Sequence, residues 1–189
     1  MPRISGLQDP ILENWKSALR FGTWNIRTLF KSSTFRTLVD KVEKYRIGID
    51  VLQELRWSDT GSMQLKNTTL FYGAYDNRYL GGSSFAVKKV YLNSVKDFKV
   101  ISPRMTVLTI AARWFNIAFV NVHALTEEKE EVEKGEFYSL LNNVLNDILA
   151  NCIQIILEDF NTKIGKENYL RPIIGIHSLH EDRITMDVE

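Results

Sequence analysis

The chain has 189 residues, of which 44% are hydrophobic and 25% charged, and its net charge is +1. These values predict one globular domain with a sizeable core and exclude a disordered chain. The near-neutral charge excludes a general attraction to nucleic acid, so any such contact needs a local basic patch. The single Cys152 excludes an internal disulfide and favours a reducing compartment.

Neither a signal peptide nor a membrane span is expected. The first twenty residues carry scattered charges and have no long apolar core. No apolar run approaches the ~20 residues that a spanning helix needs. We therefore expect an intracellular protein that is not secreted and has no membrane partner.

The first part of the chain is predicted to contain a strand, a helix and a second strand. Residues 1–18 are predicted to be a flexible lead-in, because Pro2, Gly6 and Pro10 interrupt them. A strand is predicted over 19–25 and a short buried strand over 49–52. The helix between them is capped at Ser32 or Ser33, and its apolar positions follow helical spacing: Phe35, Leu38, Val39 and Val42.

The middle of the chain is predicted to be a series of strands. Their ranges are 68–72, 85–89, 95–101, 105–111 and 114–123, and the polar segment 77–84 is predicted to be a loop. The last two strands flank Ala112 and Arg113 and form a hairpin, although these are not favoured turn residues.

The third part is predicted to contain a long helix and a buried strand. A helix over 127–149 has an amphipathic stripe, with Thr126 as its cap. The continuous apolar run 152–157 is typical of a strand that is buried on both faces. Strands mixed with two helices predict a layered α/β fold with a mixed sheet.

Three short motifs place polar side chains where strands end. They are GTWN, LQELRW and ILEDFNTKIG, and they contribute Asn25, Glu54, Asp159 and Asn161. If these strand ends meet, the carboxylate and carboxamide groups suit a divalent metal and a phosphate.

These motifs resemble the endonuclease/exonuclease/phosphatase superfamily, and within it the apurinic-type endonuclease domains of non-LTR retrotransposons. The resemblance also includes FAVKK, VNVHALTEEKEE, EFYSLL and RPIIGIHSLHE. It implies an α/β sandwich of two mixed sheets flanked by helices over residues 19–189. It also implies Mg²⁺-dependent hydrolysis of DNA phosphodiesters, with Mn²⁺ as a substitute ion.

The resemblance assigns a role to each site residue. Glu54 resembles the metal-binding carboxylate, and Asn25 the neighbour that orients the metal shell or the phosphate. Asp159 resembles the residue that positions or deprotonates the attacking water. Asn161 resembles a donor to the phosphate oxygens, and His123 occupies the position of a Tyr or His that contacts the scissile phosphate.

The chain departs from the family pattern in ways that predict weak or absent activity. Glu158 stands where the family has Gly, and Leu125 where it has Pro. A side chain at position 158 blocks a close approach, and its charge favours the protonated form of Asp159. The strand before Glu54 is two residues shorter than the family pattern. The terminal Asp-His pair of the family is not found before Glu189, so we expect a domain incomplete at its C-terminus, with an exposed sheet edge.

Each residue also has a structural interpretation, and the function has alternatives. Asp159, Asn161 and Asn25 suit turns and strand ends, and His123 suits a satisfied core position. Trp24 and Trp57 are predicted to be core residues rather than a stacking surface beside the site. Four basic side chains are candidates for contact with a phosphate backbone, although a solvated surface is the commoner place for such residues: Arg27, Lys31, Lys88 and Lys89. The alternatives to an endonuclease are a non-catalytic retroelement-derived binding module and a phosphatase acting on small phosphoesters. A nuclear location follows from the resemblance alone, and the oligomeric state is left open.

Overall fold

The computed structural model describes residues 19–26, 32–55, 57, 59–73, 82–126 and 129–159, with the side chains of 32–34, 158 and 159 left out. The chain divides into two compact units. The first comprises residues 1–123 and 145–159, and the second 124–144 and 160–189. The predicted lead-in, residues 1–18, lies outside the described residues.

The first sheet has five strands in the order β1-β2-β5-β4-β3. Strand β1 is parallel to β2, and the other neighbours are antiparallel. A parallel pair needs a crossover connection, which helix α1 lies within. The bounds are β1 Phe21–Asn25, α1 Ser32–Lys44, β2 Ile49–Gln53, β3 Gly61–Leu65, β4 Thr68–Gly73 and β5 Ser83–Lys88.

Helix α1 covers one face of this sheet. The four apolar positions that its spacing predicted are all buried and pack against Leu52, Leu70 and Ala86 of the sheet. Trp24 and Trp57 are partly buried, and they pack against the same cluster from its margin rather than from within the core.

The second sheet has four strands in the order β6-β7-β8-β9. The strands are β6 Val95–Ser102, β7 Met105–Ala111, β8 Asn116–His123 and β9 Cys152–Asp159, and a short 3₁₀ helix, Lys89–Ser94, precedes them. The predicted hairpin between β7 and β8 is confirmed, and its loop is closed by the Ala112 N–H, which donates to Phe115 O at 3.0 Å. Strands β8 and β9 are parallel.

The two sheets pack face to face around an apolar layer. Val51, Phe85 and Val87 of the first sheet meet Leu108, Ile110 and Phe119 of the second. The predicted α/β sandwich with two mixed sheets is therefore confirmed. Helix α2, Glu131–Asp147, buries Phe137 and Val144 from its predicted stripe.

Three local predictions were wrong. Strand β3 was not predicted, because its sequence GSMQL has no apolar alternation, and its backbone pairing with β4 defines it. Ser83 and Ser84 belong to β5, since pairing with β2 and β4 extends that strand into the predicted loop. Helix α2 starts at Glu131 rather than 127, since Thr126 O accepts from Lys129 N–H in a turn before the helix.

Strand β9 is less buried than its apolar run predicted. Ile153 and Ile156 are 43% and 42% exposed. Among the described strands β9 pairs with β8 alone, and a strand with one paired neighbour is covered on fewer sides than one with two. Across the part of the chain that the structure describes, no helix is long and apolar enough to cross a membrane.

Candidate active site

Three predicted site residues meet at one end of the sandwich. Asn25 Nδ2 donates to Glu54 Oε1 at 2.8 Å, and His123 Nε2 lies 3.9 Å from the same oxygen. The Glu54 side chain is 20% exposed and that of His123 is 10% exposed. The carboxylate is therefore open to solvent on one side and shielded on the other, as a ligand-binding carboxylate needs to be.

The strand arrangement explains this convergence. Strands β1 and β2 are parallel, and Asn25 pairs with Gln53, the residue before Glu54. His123 is the last residue of β8, where its backbone N–H donates to Arg104 O at 2.9 Å. Arg104 returns a bond from Nη1 to His123 O at 3.3 Å, which fixes the end of this strand.

The backbone of Glu54 has an unusual conformation that aims its side chain. In a regular strand Glu54 would point to the face opposite Gln53, and therefore away from Asn25. Its φ of 60° lies in the left-handed region, where a residue other than glycine costs about 1–3 kcal/mol. This turn breaks the alternation and brings the carboxylate to Asn25 and His123, so the strain serves the site.

A loop latch joins the two sheets at this rim. The Leu55 N–H, directly after Glu54, donates to Gly82 O at 3.1 Å, and the Gly82 N–H donates to Pro103 O at 2.9 Å. Gly82 has a φ of 95°, which favours glycine. The latch holds the segment after Glu54 close to the turn that contacts His123.

The third motif approaches the same place through its backbone. Asp159, the last residue of β9, is the register partner of His123, and Glu158 is the partner of Val122. Neighbouring strands lie ~4.8 Å apart, so the backbone of Asp159 runs beside that of His123. The side chains of Asp159 and Glu158 and all of Asn161 lie outside the described residues, and their roles stay predictions.

The donor set fits a hard divalent cation. Glu54 and Asn25 offer oxygen atoms, and Mg²⁺ commonly takes one or two carboxylates while it keeps several waters. Within the described ranges no group of three or more His, Cys, Asp and Glu side chains is arranged to hold a metal. Among the described side chains, Glu54 and Asn25 are the ones whose oxygen atoms would hold such a cation.

Sequence reasoning missed a buried polar group below the site. Gln53 and Asn121 are fully buried, and Gln53 Nε2 donates to Asn121 Oδ1 at 3.2 Å and to Thr23 Oγ1 at 2.9 Å. The signal was present in the sequence, because Asn121 interrupts the apolar strand FVNVHA. A polar residue inside a central strand indicates a specific hydrogen-bond partner.

A second buried polar residue lies on the helix-facing side of the first sheet. Asp50, in β2, is fully buried, and neither carboxylate oxygen has a hydrogen-bond partner of good geometry among the described residues. Burial raises its pKa to about 7, and the nearby Val51 N–H opposes this shift only in part. A Cβ at Gly22 would lie 3.0 Å from Asp50 Oδ1, so a glycine there makes room for the carboxyl.

The basic side chains proposed as phosphate contacts are only partly described. Lys88 is half-buried and Lys89 is exposed at the start of the 3₁₀ helix, whereas Arg27 and Lys31 lie outside the described residues. Lys41 Nζ lies 5.0 Å from the centre of the Trp24 ring, so that ring is covered by a cation of its own chain.

Comparison with known proteins supports the resemblance. No family model matches the chain. Craniofacial development protein 2 of Bos taurus is 28% identical over 148 residues, 77% of this chain, and that of Tragulus javanicus is equally similar. The match covers 24% and 25% of those two proteins, so the chain spans about a quarter of the relatives it matches.

Several solved structures share the fold. The endonuclease domain of TRAS1, a telomere-specific non-LTR retrotransposon, has a TM-score of 0.55 at 16% identity, over 78% of this chain and 61% of that one. The AP endonuclease LMAP from Leishmania major has a TM-score of 0.60 at 12% identity, over 80% and 57%. D. rerio TDP2 with a single-strand DNA product has a TM-score of 0.57 at 14% identity, over 84% and 66%. The chain therefore has the endonuclease/exonuclease/phosphatase fold, as its motifs predicted.

Proposed function

We propose that the chain hydrolyses DNA phosphodiesters with the help of a divalent cation, Mg²⁺ or in its place Mn²⁺, and at the low rate that its departures from the family pattern predict. The observation that supports this most is the convergence of the Asn25, Glu54 and His123 side chains, with 2.8 and 3.9 Å between polar atoms. The similar structures include two endonucleases and a protein in complex with a single-strand DNA product, which favours DNA as the substrate class. A DNA substrate in turn favours the nucleus as the place of action.

Each site residue has a distinct role in the proposed reaction. Glu54 would hold the cation through its carboxylate, and the Asn25 amide, which donates to Glu54 Oε1, keeps that carboxylate oriented. The cation, when bound, supplies positive charge at a phosphate oxygen and so lowers the barrier to attack by water. Because one carboxylate oxygen already accepts from Asn25, small shifts of Asn25 are expected to change metal affinity.

The remaining residues act on the phosphate and on the water. His123 Nε2, on the side of the site next to Glu54, donates to a phosphate oxygen as negative charge develops. Asp159, whose backbone pairs with His123, orients the attacking water and accepts its proton. Asn161 adds a second donor to the phosphate. Attack by water is in line with the leaving sugar oxygen.

A plasmid-nicking assay tests this function. The purified chain is incubated with supercoiled DNA in Mg²⁺ or in EDTA, beside Asp159→Asn and Asn161→Ala variants. Nicking should require the metal and fall by at least about 100-fold in both variants. Asn142→Ala, an exposed asparagine on helix α2, is the matched control and should nick like the parent chain.

The same assay separates the alternatives. Folded protein that binds DNA but does not nick it would contradict the proposed hydrolysis and favour a binding module derived from a retroelement. Folded protein that neither binds nor nicks DNA but releases phosphate from small phosphoesters would favour a phosphatase. Metal-independent nicking, or nicking unchanged in Asp159→Asn, would contradict the assigned site.

A further inference from the structure

A layer of polar side chains lies directly below the site. It consists of Gln53 and Asn121, which are fully buried, and Thr23, which is exposed, and we call these three residues the polar layer. Thr23 lies two residues before Asn25, Gln53 one residue before Glu54, and Asn121 two residues before His123. Each site residue therefore follows, on its own strand, a member of the polar layer.

Asn121 is the member that crosses between the two sheets. Its Nδ2 donates to Leu52 O at 3.2 Å and to Ser84 O at 3.1 Å, and its Oδ1 accepts from Gln53 Nε2 at 3.2 Å. Leu52 and Ser84 are register partners on β2 and β5. One carboxamide on β8 therefore holds two strands of the opposite sheet, and both of its N–H groups and its carbonyl oxygen are used.

The layer extends from Gln53 to the first strand. Gln53 Nε2 donates to Thr23 Oγ1 at 2.9 Å, and the Thr23 hydroxyl lies 3.3 Å from Gln53 Oε1. The connected side chains thus join β8, β2 and β1, the strands that carry His123, Glu54 and Asn25. Any shift of one strand along its axis would break at least one of these bonds, because hydrogen bonds tolerate little change in distance and angle.

An apolar side chain at position 121 would satisfy the packing of this core. The same interface is otherwise filled by residues such as Val51, Phe85 and Phe119. Burying a carboxamide costs free energy that its hydrogen bonds only offset, so a polar residue here brings little net stability. Apolar contacts allow sliding, whereas three directional bonds fix a spacing, and the spacing that Asn121 fixes is that of the site above it.

We propose that Asn121 is a positioning residue that sets the distance of His123 from Glu54 and Asn25, an inference that for its catalytic consequence rests on the proposed function. It contacts neither metal nor substrate. It acts through Gln53 on the strand end that carries Glu54, and through its own strand on His123.

The experiment compares Asn121→Leu with Val120→Ala. Leucine keeps the branched shape and the number of heavy atoms of asparagine and removes all three bonds. Val120 is the adjacent residue, is also fully buried and faces the opposite side of β8, so its truncation costs stability without touching the polar layer. If the site works as proposed, Asn121→Leu should lower kcat by about 100-fold with little change in KM for DNA, because a misplacement of ~1 Å has that effect.

A spectroscopic readout makes the inference independent of nuclease activity. The side-chain amide resonance of Asn25, identified by its loss in Asn25→Asp, reports its bond to Glu54, and the ring resonances of His123 report its surroundings. Both should shift in Asn121→Leu and stay in place in Val120→Ala. A parent chain that never nicks DNA, with these shifts present, would refute the proposed function and leave the positioning role standing.

Two outcomes would overturn the positioning role. One is a folded Asn121→Leu chain in which the Asn25 and His123 resonances, and any nicking, match the parent chain. The other concerns folding, and Asn121→Asp tests it because aspartate keeps the shape and the acceptor toward Gln53 and loses both donors. If both position-121 variants fail to fold while Val120→Ala folds, Asn121 is a stability residue and not a positioning one.

Discussion

Glu54 Oε1 and His123 Nε2 lie 3.9 Å apart, although Glu54 follows a strand of the first sheet and His123 ends a strand of the second. No local pattern brings them together. The pair depends on the face-to-face packing of the sheets, on the left-handed backbone of Glu54 and on the latch through Gly82. The predictions below test this pair and the parts of the fold that support it.

The first prediction concerns metal binding by Glu54. Glu54→Gln keeps the shape and the left-handed backbone but loses the charge, so we expect the affinity for Mn²⁺ to fall by at least about tenfold, as measured by titration calorimetry. Asp97→Asn makes the same chemical change at an exposed carboxylate that pairs with Lys99. The affinity of this control variant for Mn²⁺ should equal that of the parent chain. Equal affinities for the parent chain and Glu54→Gln would remove Glu54 from the metal site.

The second prediction concerns coupling between the two residues. If His123 and Glu54 act on one phosphate, Glu54→Gln and His123→Gln should each lower nicking by about 100-fold, and the double variant by far less than the product. Rates measured for all four chains under one condition give the coupling. Strict additivity would mean that the two residues act at separate places.

The third prediction concerns stability and pH. Burial raises the pKa of the Asp50 carboxyl in the folded chain to about 7, compared with its ordinary value of 3.8. Its protonated form is favoured by folding, so stability is highest below pH ~4, falls as pH rises toward 7 and then levels off, for a total of about 4 kcal/mol. Other titrating groups add their own slopes, so the comparison is between chains.

Asp50→Asn isolates this contribution. The variant should be more stable than the parent chain at pH 8, and the difference should shrink toward pH 4.5, as measured by urea unfolding at the two values. Asp97→Asn, on the exposed surface, controls for the loss of a carboxylate. A difference between Asp50→Asn and the parent chain that stays constant across pH would show that Asp50 is not buried as a neutral acid.

The fourth prediction concerns close packing at Gly73. A Cβ there would lie 2.2 Å from Val100 Cγ2, a distance that side chains do not tolerate. Gly73→Ala should therefore lower the free energy of unfolding by about 1–3 kcal/mol. Val100→Ala in the same chain removes the obstructing methyl groups and should recover part of the loss, and failure to do so would mean that the contact is not the cause.

The fifth prediction concerns Glu158, which replaces the Gly of the family pattern. Glu158→Gly should raise nicking by about tenfold, because it removes both a side chain and a negative charge next to Asp159. Glu158→Gln removes the charge but keeps a side chain of similar size. Comparing its nicking rate with the rates of the parent chain and Glu158→Gly separates the electrostatic effect from the steric one. No increase in either variant would show that Glu158 does not limit the site.

The sequence by itself determined the elements with strong local periodicity. The stripe of Phe35, Leu38, Val39 and Val42 predicted helix α1, and all four side chains are buried. The apolar run before Gln53 predicted β2, and the motifs at strand ends predicted that Asn25 and Glu54 converge, whereas His123 was assigned to the site by the family resemblance. These features are local, because helical spacing and apolar runs act through neighbouring residues.

The tertiary structure decided what depends on partners distant in sequence. Strand β3 exists because β4 pairs with it, and two isoleucines of the apolar strand β9, Ile153 and Ile156, are exposed although Ile155 and Leu157 of the same strand pack on the core. Asp50 is fully buried on the helix-facing side of the sheet, although aspartate is a residue type that is rarely buried. The bonds of Asn121 and the backbone turn at Glu54 arise for the same reason: they are set by the packing of two sheets, which periodicity along the chain does not encode.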